Sequence, residues 1–490
     1  MLFNTIDFII FFLIVTSIIF LIKHRKFQHI FILISSYFFF YYTSNYLITL
    51  LIFTTLWDFY FGNFIYKSKN LRSKKLILIL SLGGNLGLLG FFKYADFTIL
   101  QFNFLSQQFD LGTQLPLLNI VLPIGISFYT FHSITYTVSI FRGIMTPVKS
   151  FTEYAIFVTF FPQLVAGPIL RADQFLPQLR ENLKNSEIGK RIRLLVLNNR
   201  NLKLGITLMA FGFFKKMFFA DNISPMVNTI FSNPAGLESL TIIFATIGFG
   251  IQIYADFSGY SDIAIGAALI LGFKIPINFN KPYFATSPSD FWRRWHISLS
   301  SWLRDYLYVP LGGNRKSPSR TYANLIIVMF LGGLWHGASW NFVIWGLLHG
   351  FYLSIHKFVK NKFLKNKSVK FFSTKLGKIT SILVTQYFIF LAWIPFRVRD
   401  VDYMFYSLEK YIFFDFQWVN TFEFISTQKL SLVLICSFFI LNYITFRAKN
   451  LPERISQWKL KYWLIFLIII ISLIIFFYDG EPENFIYFQF

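Results

Sequence analysis

The chain has one cysteine in 490 residues, Cys436. A single thiol excludes an intrachain disulfide and any metal site built on several cysteines. It lies in the run Leu432-Val433-Leu434-Ile435-Cys436-Ser437-Phe438-Phe439, where a lone thiol acts as a small hydrophobe. Charge is also scarce. Asp, Glu, Lys and Arg make up 14% of the chain, against about a quarter in soluble domains. A larger soluble core is no answer, because single cores stop growing near roughly 250–300 residues. Acid is scarcer than base, 23 residues against 46, for a net charge of +23. The basic residues fall in short loops between apolar runs. That is the pattern of cytoplasmic loops facing anionic lipid, so membrane lipid is an expected partner and nucleic acid is not. The chain contains no P-loop, no G-x-S-x-G elbow, no H-E-x-x-H and no dinucleotide fingerprint. Its start lacks the basic residues and small-residue cleavage site of a removable signal.

Apolar residues are abundant: 55% of the chain is hydrophobic and 66 residues are Phe, with a mean hydropathy of +0.54. Runs of about 20 apolar residues, the length that crosses hydrocarbon, recur along it. The fold class is therefore an all-α polytopic membrane protein with about 11–12 membrane elements, some broken or re-entrant. Ile6 to Ile22 is the first span, followed by the basic loop Lys23-His24-Arg25-Lys26. Phe27 to Tyr60 reads as two helices around Tyr42-Thr43-Ser44-Asn45. The basic loop Lys67 to Lys75 is again cytoplasmic, which places the N-terminus outside. Leu76 to Tyr94 reads as a span interrupted at Gly83-Gly84, with Ala95 to Pro116 external or interfacial, and Leu117 to Phe141 returns. Phe151 to Leu170 carries two prolines and a glycine, which predict a broken segment buried in protein. Arg171 to Lys203 is polar and cytoplasmic. Leu204 to Ala220 leads out, and Ile242 to Phe273 returns with a break at Tyr254 to Asp262. Thr321 to His356 is an apolar hairpin, and Lys357 to Lys378 is basic. Three spans follow near Ile379–Trp393, Leu430–Thr445 and Trp463–Phe477, and the acidic tail from Asp479 lies outside. No repeat or linker divides the chain, so residues 1–490 read as one domain.

Three constellations could carry chemistry. The first is Leu331-Gly332-Gly333-Leu334-Trp335-His336-Gly337-Ala338-Ser339-Trp340-Asn341. A helix over Thr321–Leu334 rises roughly 21 Å, short of a hydrocarbon thickness of about 30 Å, so His336 is expected inside the membrane at a hairpin tip. An ionisable residue there is a functional candidate by default. Its neutral imidazole can take a proton, as a general base for an attacking alcohol must. The bland alternative is a histidine that satisfies a neighbouring carbonyl. Trp335 and Asn341 flank it as supporting residues.

The second constellation runs from Ser287 to Tyr308. Phe291, Trp295, Ser298 and Trp302 recur at helical spacing beside Arg293 and Arg294, which reads as an amphipathic interfacial helix. It either anchors on the membrane surface or lines a cytoplasmic entrance. In the second case Arg293, Arg294 or Arg304 could meet a phosphate-bearing acyl donor, and His296 could reach toward His336. The third is Asp256 with Ser258, Tyr260, Ser261 and Asp262, either a polar cavity wall or groups that satisfy freed backbone and pair with an arginine. His132 is a lesser candidate. His24, His29, His349 and His356 read as bystanders.

These residues resemble the membrane-bound O-acyltransferase superfamily, and within it the bacterial alginate O-acetyltransferase branch. The resemblance is carried by Phe160-Phe161-Pro162-Gln163-Leu164-Val165-Ala166-Gly167-Pro168-Ile169, by Tyr254-Ala255-Asp256-Phe257-Ser258-Gly259-Tyr260-Ser261-Asp262, by Phe291-Trp292-Arg293-Arg294-Trp295-His296-Ile297-Ser298-Leu299-Ser300 and by Leu334-Trp335-His336-Gly337. Gly90-Phe91-Phe92-Lys93-Tyr94 and Phe485-Ile486-Tyr487-Phe488-Gln489-Phe490 extend it to nearly the whole chain. It implies a ring-like helical fold with a funnel and a central tunnel, His336 as the active-site histidine and His296 as its supporting one. It implies transfer of an acyl group from a cytoplasmic thioester, either acetyl-coenzyme A or an acyl carrier protein, to an acceptor at the outer face of the bacterial cytoplasmic membrane. In the alginate-type branch the group is acetyl, the final acceptor is an exported polysaccharide, and a periplasmic or extracellular partner acyltransferase often completes the transfer. A related branch passes D-alanine from a carrier protein to teichoic acid. No metal and no bound cofactor is expected, since a thioester is already activated. The reading from another class is a non-catalytic transporter of a polysaccharide or lipid precursor.

Overall fold

The structure is a computed structural model, and it describes residues 1–22, 24–165, 167–184, 199–363, 370–478, 480, 483 and 485–486. Lys23 of the first basic loop, Ala166 of the Phe160–Ile169 motif, residues 185–198 of the polar stretch, residues 364–369 of the later basic stretch and most of the tail, including Asp479 and Tyr487, lie outside the described residues. The described chain is helical, with no strand among the described residues. Six segments are long and apolar enough to cross a membrane by length and composition, and Ile6–Leu21 and Leu460–Phe476 are shorter apolar helices. The chain is a multi-pass membrane protein.

Packing divides the chain into two compact units, Met1–Met209 with Ser261–Pro276, and Ala210–Tyr260 with Ile277–Phe490. In the first, helices Arg25–Ser44 and Ile48–Lys67 flank a short turn at Asn45–Leu47, as the sequence pattern predicts. Helix Leu71–Gln108 is a correction. It runs for 38 residues without a break at Gly83-Gly84, and residues read as external stay helical. A glycine inside a helix costs only about 1 kcal/mol relative to Ala, and here it makes room. A Cβ on Gly84 would stand 3.0 Å from the Trp57 indole. The Asp58 carboxylate then ties the two helices together, accepting from Ser81 Oγ at 2.8 Å and from Asn85 Nδ2 at 2.9 Å.

Helix Ile126–Phe141 starts later than Leu117, behind Gly125 at φ +78°, where a Cβ would lie 2.6 Å from the Leu164 carbonyl oxygen. The expected break after Phe151 is present. Helix Phe151–Thr159 stops at Phe160, and one turn, Phe161–Leu164, follows. From Tyr154 through Leu164 the segment is buried, and the freed backbone finds partners: Gln163 Nε2 donates to the Phe157 carbonyl at 2.7 Å, and the Phe161 N–H to Ser36 Oγ at 3.2 Å. His132 is buried here against Phe157.

In the second unit the apolar hairpin is helix Pro318–His336 and helix Trp340–Phe363. Ser317 caps the first by accepting from the Arg320 N–H, so the helix begins before Thr321. At 19 residues it rises about 28 Å, longer than the 21 Å expected and close to the hydrocarbon thickness. Glycines let the two helices meet. A Cβ on Gly333 would stand 2.2 Å from the Phe342 carbonyl oxygen, and one on Gly346 would stand 2.5 Å from that of Met329. Close approach at small residues is how helices associate where no water drives them together. Helices Lys375–Arg397, Lys429–Arg447 and Leu460–Phe476 match the three final spans.

Candidate active site

His336 ends helix Pro318–His336, and only 5% of it is exposed. Its imidazole is enclosed by rings: Trp335 at 4.9 Å, Trp345 at 4.9 Å and Phe396 at 5.1 Å, all edge-on, with Phe342 near-parallel at 6.5 Å. Gly337 has no room for a side chain, since a Cβ there would lie 2.1 Å from the Phe342 ring. The glycine beside the histidine therefore serves the packing of the hairpin turn.

His296 is fully buried. The single amphipathic helix expected over Ser287–Tyr308 is instead two short helices, Pro288–Arg294 and Ile297–Leu303, with His296 at the joint in the left-handed region, φ 41° and ψ 56°. That conformation costs a non-glycine residue about 1–2 kcal/mol. Asn278 holds the joint. Its carbonyl accepts from the Ile297 N–H at 2.9 Å, and its Oδ1 from Ser298 Oγ at 2.6 Å. The anchor reading is corrected as well: Phe291, Trp295, Ser298 and Trp302 are buried in the protein. The break turns the His296 ring inward, edge-on to Phe257 at 4.6 Å and 5.9 Å from the Trp335 indole. Trp335 thus touches both histidines. Burial pushes the His296 imidazole pKa down to about 3, because a desolvated ring resists the charged form.

The three arginines stand differently. Arg293 and Arg304 are exposed, at 72 and 63% of their side chains, and each faces an acid: Arg293 Nη2 lies 3.4 Å from Asp290, and Arg304 Nε 2.6 Å from Asp305. Arg294 is less exposed and pairs with Asp290 at 3.0 Å. Asn341 is buried and donates to the carbonyls of Val398 and Arg399, so it ties the start of helix Trp340–Phe363 to the end of helix Lys375–Arg397.

The Asp256 constellation also departs from expectation. Helix Ser239–Ile270 is unbroken, because the polar side chains find partners on other segments. Lys216 Nζ bridges Asp256 at 2.9 Å and Asp221 at 2.7 Å, all three buried, and the Ile486 N–H donates to Asp256 Oδ2 at 2.7 Å. Lys215 Nζ donates to Ser258 Oγ at 3.0 Å. The partners are lysines, where an arginine was expected. Both sit in a π-helical stretch, Phe214–Ala220, that continues helix Asn199–Phe213. Two lysines inside the apolar run Leu204 to Ala220 are the signal in the sequence for this cluster. Phe485 stacks on Tyr260 at 4.4 Å and touches Phe257, the ring that carries His296. His349, read as a bystander, is fully buried with one ring, Trp345, between it and His336.

No group of three or more His, Cys, Asp or Glu among the described residues could hold a metal ion. Fold and site together define a helical multi-pass membrane protein that buries two histidines on one indole. Residues 146–394 match the model of the MBOAT, membrane-bound O-acyltransferase, family. The chain is 38% identical over 377 residues to a peptidoglycan O-acetyltransferase of Helicobacter pylori, covering 72% of this chain and 68% of that one. It is 42% identical over 288 residues to a probable alginate O-acetylase of Pseudomonas aeruginosa, covering 58 and 52%. A teichoic acid D-alanyltransferase of Streptococcus thermophilus is 31% identical over 254 residues, covering 50 and 58%. The chain belongs to the membrane-bound O-acyltransferase family. It is an acyl-transferring enzyme, and an acyl donor is its co-substrate.

Proposed function

We propose that the chain carries an acyl group, acetyl in the simplest case, from a cytoplasmic thioester to a hydroxyl of an exported polysaccharide or of a periplasmic partner transferase. In this reading residues 1–490 act as one domain in the bacterial cytoplasmic membrane, with both termini outside. The observation that supports it most is the pair of buried histidines in contact with one indole, Trp335. The names of the relatives that act on alginate and peptidoglycan support the acetyl group and a glycan acceptor.

The chemistry is proton transfer coupled to acyl transfer. His336 takes the proton of the acceptor hydroxyl as its oxygen attacks the thioester carbonyl. The C–O bond forms, the C–S bond breaks, and the leaving thiolate takes the proton back from His336, directly or with His296 assisting. Atoms and charge balance without a metal or redox partner. A buried site suits this, because water would otherwise compete as the nucleophile. Acetyl-coenzyme A and an acyl carrier protein both present the thioester on a phosphate-bearing arm, for which the exposed Arg293 and Arg304, with Arg294, are the proposed docking charges. Trp335, Asp256, Ser258, Tyr260 and Asn341 are supporting residues. A second reading, transfer of D-alanine from a carrier protein to teichoic acid, rests on the Streptococcus relative.

The test is the ester-linked acyl content of the cell's exported glycans, wild type against His336→Ala at matched membrane level. Loss of ester with glycan yield unchanged supports the reading. Unchanged ester rejects His336 as the base, and loss of glycan export itself favours a transporter.

A further inference from the structure

His349 lies on helix Trp340–Phe363, four residues after Trp345 and so on the same helix face. It is fully buried. Its Nδ1 accepts a hydrogen bond from the Trp292 indole N–H at 3.3 Å. A neutral imidazole whose Nδ1 accepts carries its proton on Nε2, so the bond fixes the tautomer as well as the ring. Phe291 stacks parallel on that ring, 6.1 Å away with an 8° tilt.

Trp345 stands between His336 and His349. Its indole is 4.8 Å from His349 and 4.9 Å from His336, edge-on to both, and Trp292 touches it at 5.8 Å. Edge-on ring contacts favour a definite geometry at short centroid distances, so the orientation of each ring in this cluster depends on that of its neighbours. The Trp292–His349 hydrogen bond is directional, and it joins helix Pro288–Arg294 to helix Trp340–Phe363. Both of its partners bear on Trp345. A histidine here also carries a cost. Its Nε2 is buried with no acceptor among the described residues, a loss of about 1–3 kcal/mol. A leucine or phenylalanine would fill the space without that loss, so what distinguishes histidine at this position is the acceptor at Nδ1.

We infer that His349 is a positioning residue: by accepting from Trp292 it sets Trp345, and Trp345 holds the His336 imidazole at the angle in which it takes the hydroxyl proton. The inference rests on His336 being the base. A small misplacement of a catalytic group can cost about a hundredfold in rate, so the hydrogen bond matters to catalysis well beyond its share of stability.

The experiment measures the initial rate of ester-linked acyl formation on exported glycans in cells carrying the full chain. Hydroxylamine-reactive ester reports the product whatever the acyl group is. Membrane level and melting temperature are measured in parallel. Asn places its Oδ1 where Nδ1 stands and keeps the acceptor, whereas Gln reaches the Nε2 position and leaves Trp292 unpaired. The expected result is a His349→Asn rate at least about tenfold above that of His349→Gln at equal protein level. Trp292→Phe should fall with His349→Gln, and the double variant should be no slower than the worse single, because both remove one hydrogen bond. Equal rates for Asn and Gln, or losses that multiply in the double variant, overturn the inference. His336→Ala runs alongside. If it retains the wild-type rate, the reading of His336 fails on its own account, whatever the His349 variants do.

Discussion

The His296 imidazole faces the Trp335 indole at 5.9 Å, across 39 residues of sequence. Trp335 is also edge-on to His336. The two histidines that the sequence singles out therefore bear on one ring, and the left-handed turn at His296 is what aims the first of them there.

That burial gives a pH signature. The His296 pKa is held near 3 in the folded protein, against about 6.5 in the unfolded chain. The unfolded chain therefore binds the extra proton first. Stability is intact above about pH 6.5 and falls as the pH drops below it toward 3. His296→Asn keeps a side chain that tolerates the left-handed backbone and removes the titration. Melting curves between pH 7.5 and 4.5 should show a shallower acid slope for the variant, and parallel slopes would refute the assignment.

Lys216 neutralises two buried carboxylates, Asp221 and Asp256. Lys216→Met leaves both without their cation, and breaking a buried ion pair from one side costs about 3–5 kcal/mol. Thermal unfolding should show a large loss. Adding Asp256→Asn should recover part of it, since one stranded charge is removed. A double variant no more stable than Lys216→Met would mean that the lysine acts through packing alone.

Adjacent glycines in the hairpin should behave oppositely. A Cβ on Gly333 meets the Phe342 backbone oxygen at 2.2 Å, whereas one on Gly332 meets only Leu303 Cδ1, at 3.5 Å. Gly333→Ala should lower membrane level and activity sharply. Gly332→Ala should leave both near wild type. Similar levels for the two would argue against this close helix contact.

Arg293 and Arg304 are exposed and each faces one acid. Surface pairs of this kind contribute about 0–1 kcal/mol, so Arg293→Ala and Arg304→Ala should melt with the wild type. If these residues dock the donor's phosphates as proposed, the double variant needs more donor to reach half-maximal rate, with the maximal rate little changed. A double variant with an unchanged donor requirement would remove the arginines from the donor path.

Much of the fold is legible from local pattern. Proline and glycine after Phe160 announce a broken, buried segment, and Gln163 and Ser36 then satisfy its backbone. The apolar run Thr321 to His356 announces a hairpin carrying His336. Local pattern misleads at Gly83-Gly84 and at Tyr254–Asp262, where breaks were expected and the helices run on. In both places the explanation lies on another segment: Trp57 fills the space beside Gly84, and Lys215 and Lys216 pair with Ser258 and Asp256. His349 reads as a bystander in the sequence for the same reason. Nothing near it in sequence reveals that Trp292, 57 residues earlier, donates to it.

By itself the sequence determined the solvent, the helices and the motifs, because hydropathy and helical spacing are properties of neighbouring residues. Only the tertiary structure decided that His296 and His336 share Trp335, that Lys216 holds two carboxylates, and that Trp345 stands between His336 and His349. Trp335 and His336 are adjacent, and the pairs Lys216–Asp221 and Trp345–His349 lie about one helical turn apart, but the other contacts join separate segments, and their angles are set by a helix break, a π-helical stretch and glycine-to-backbone contact that hydropathy does not encode.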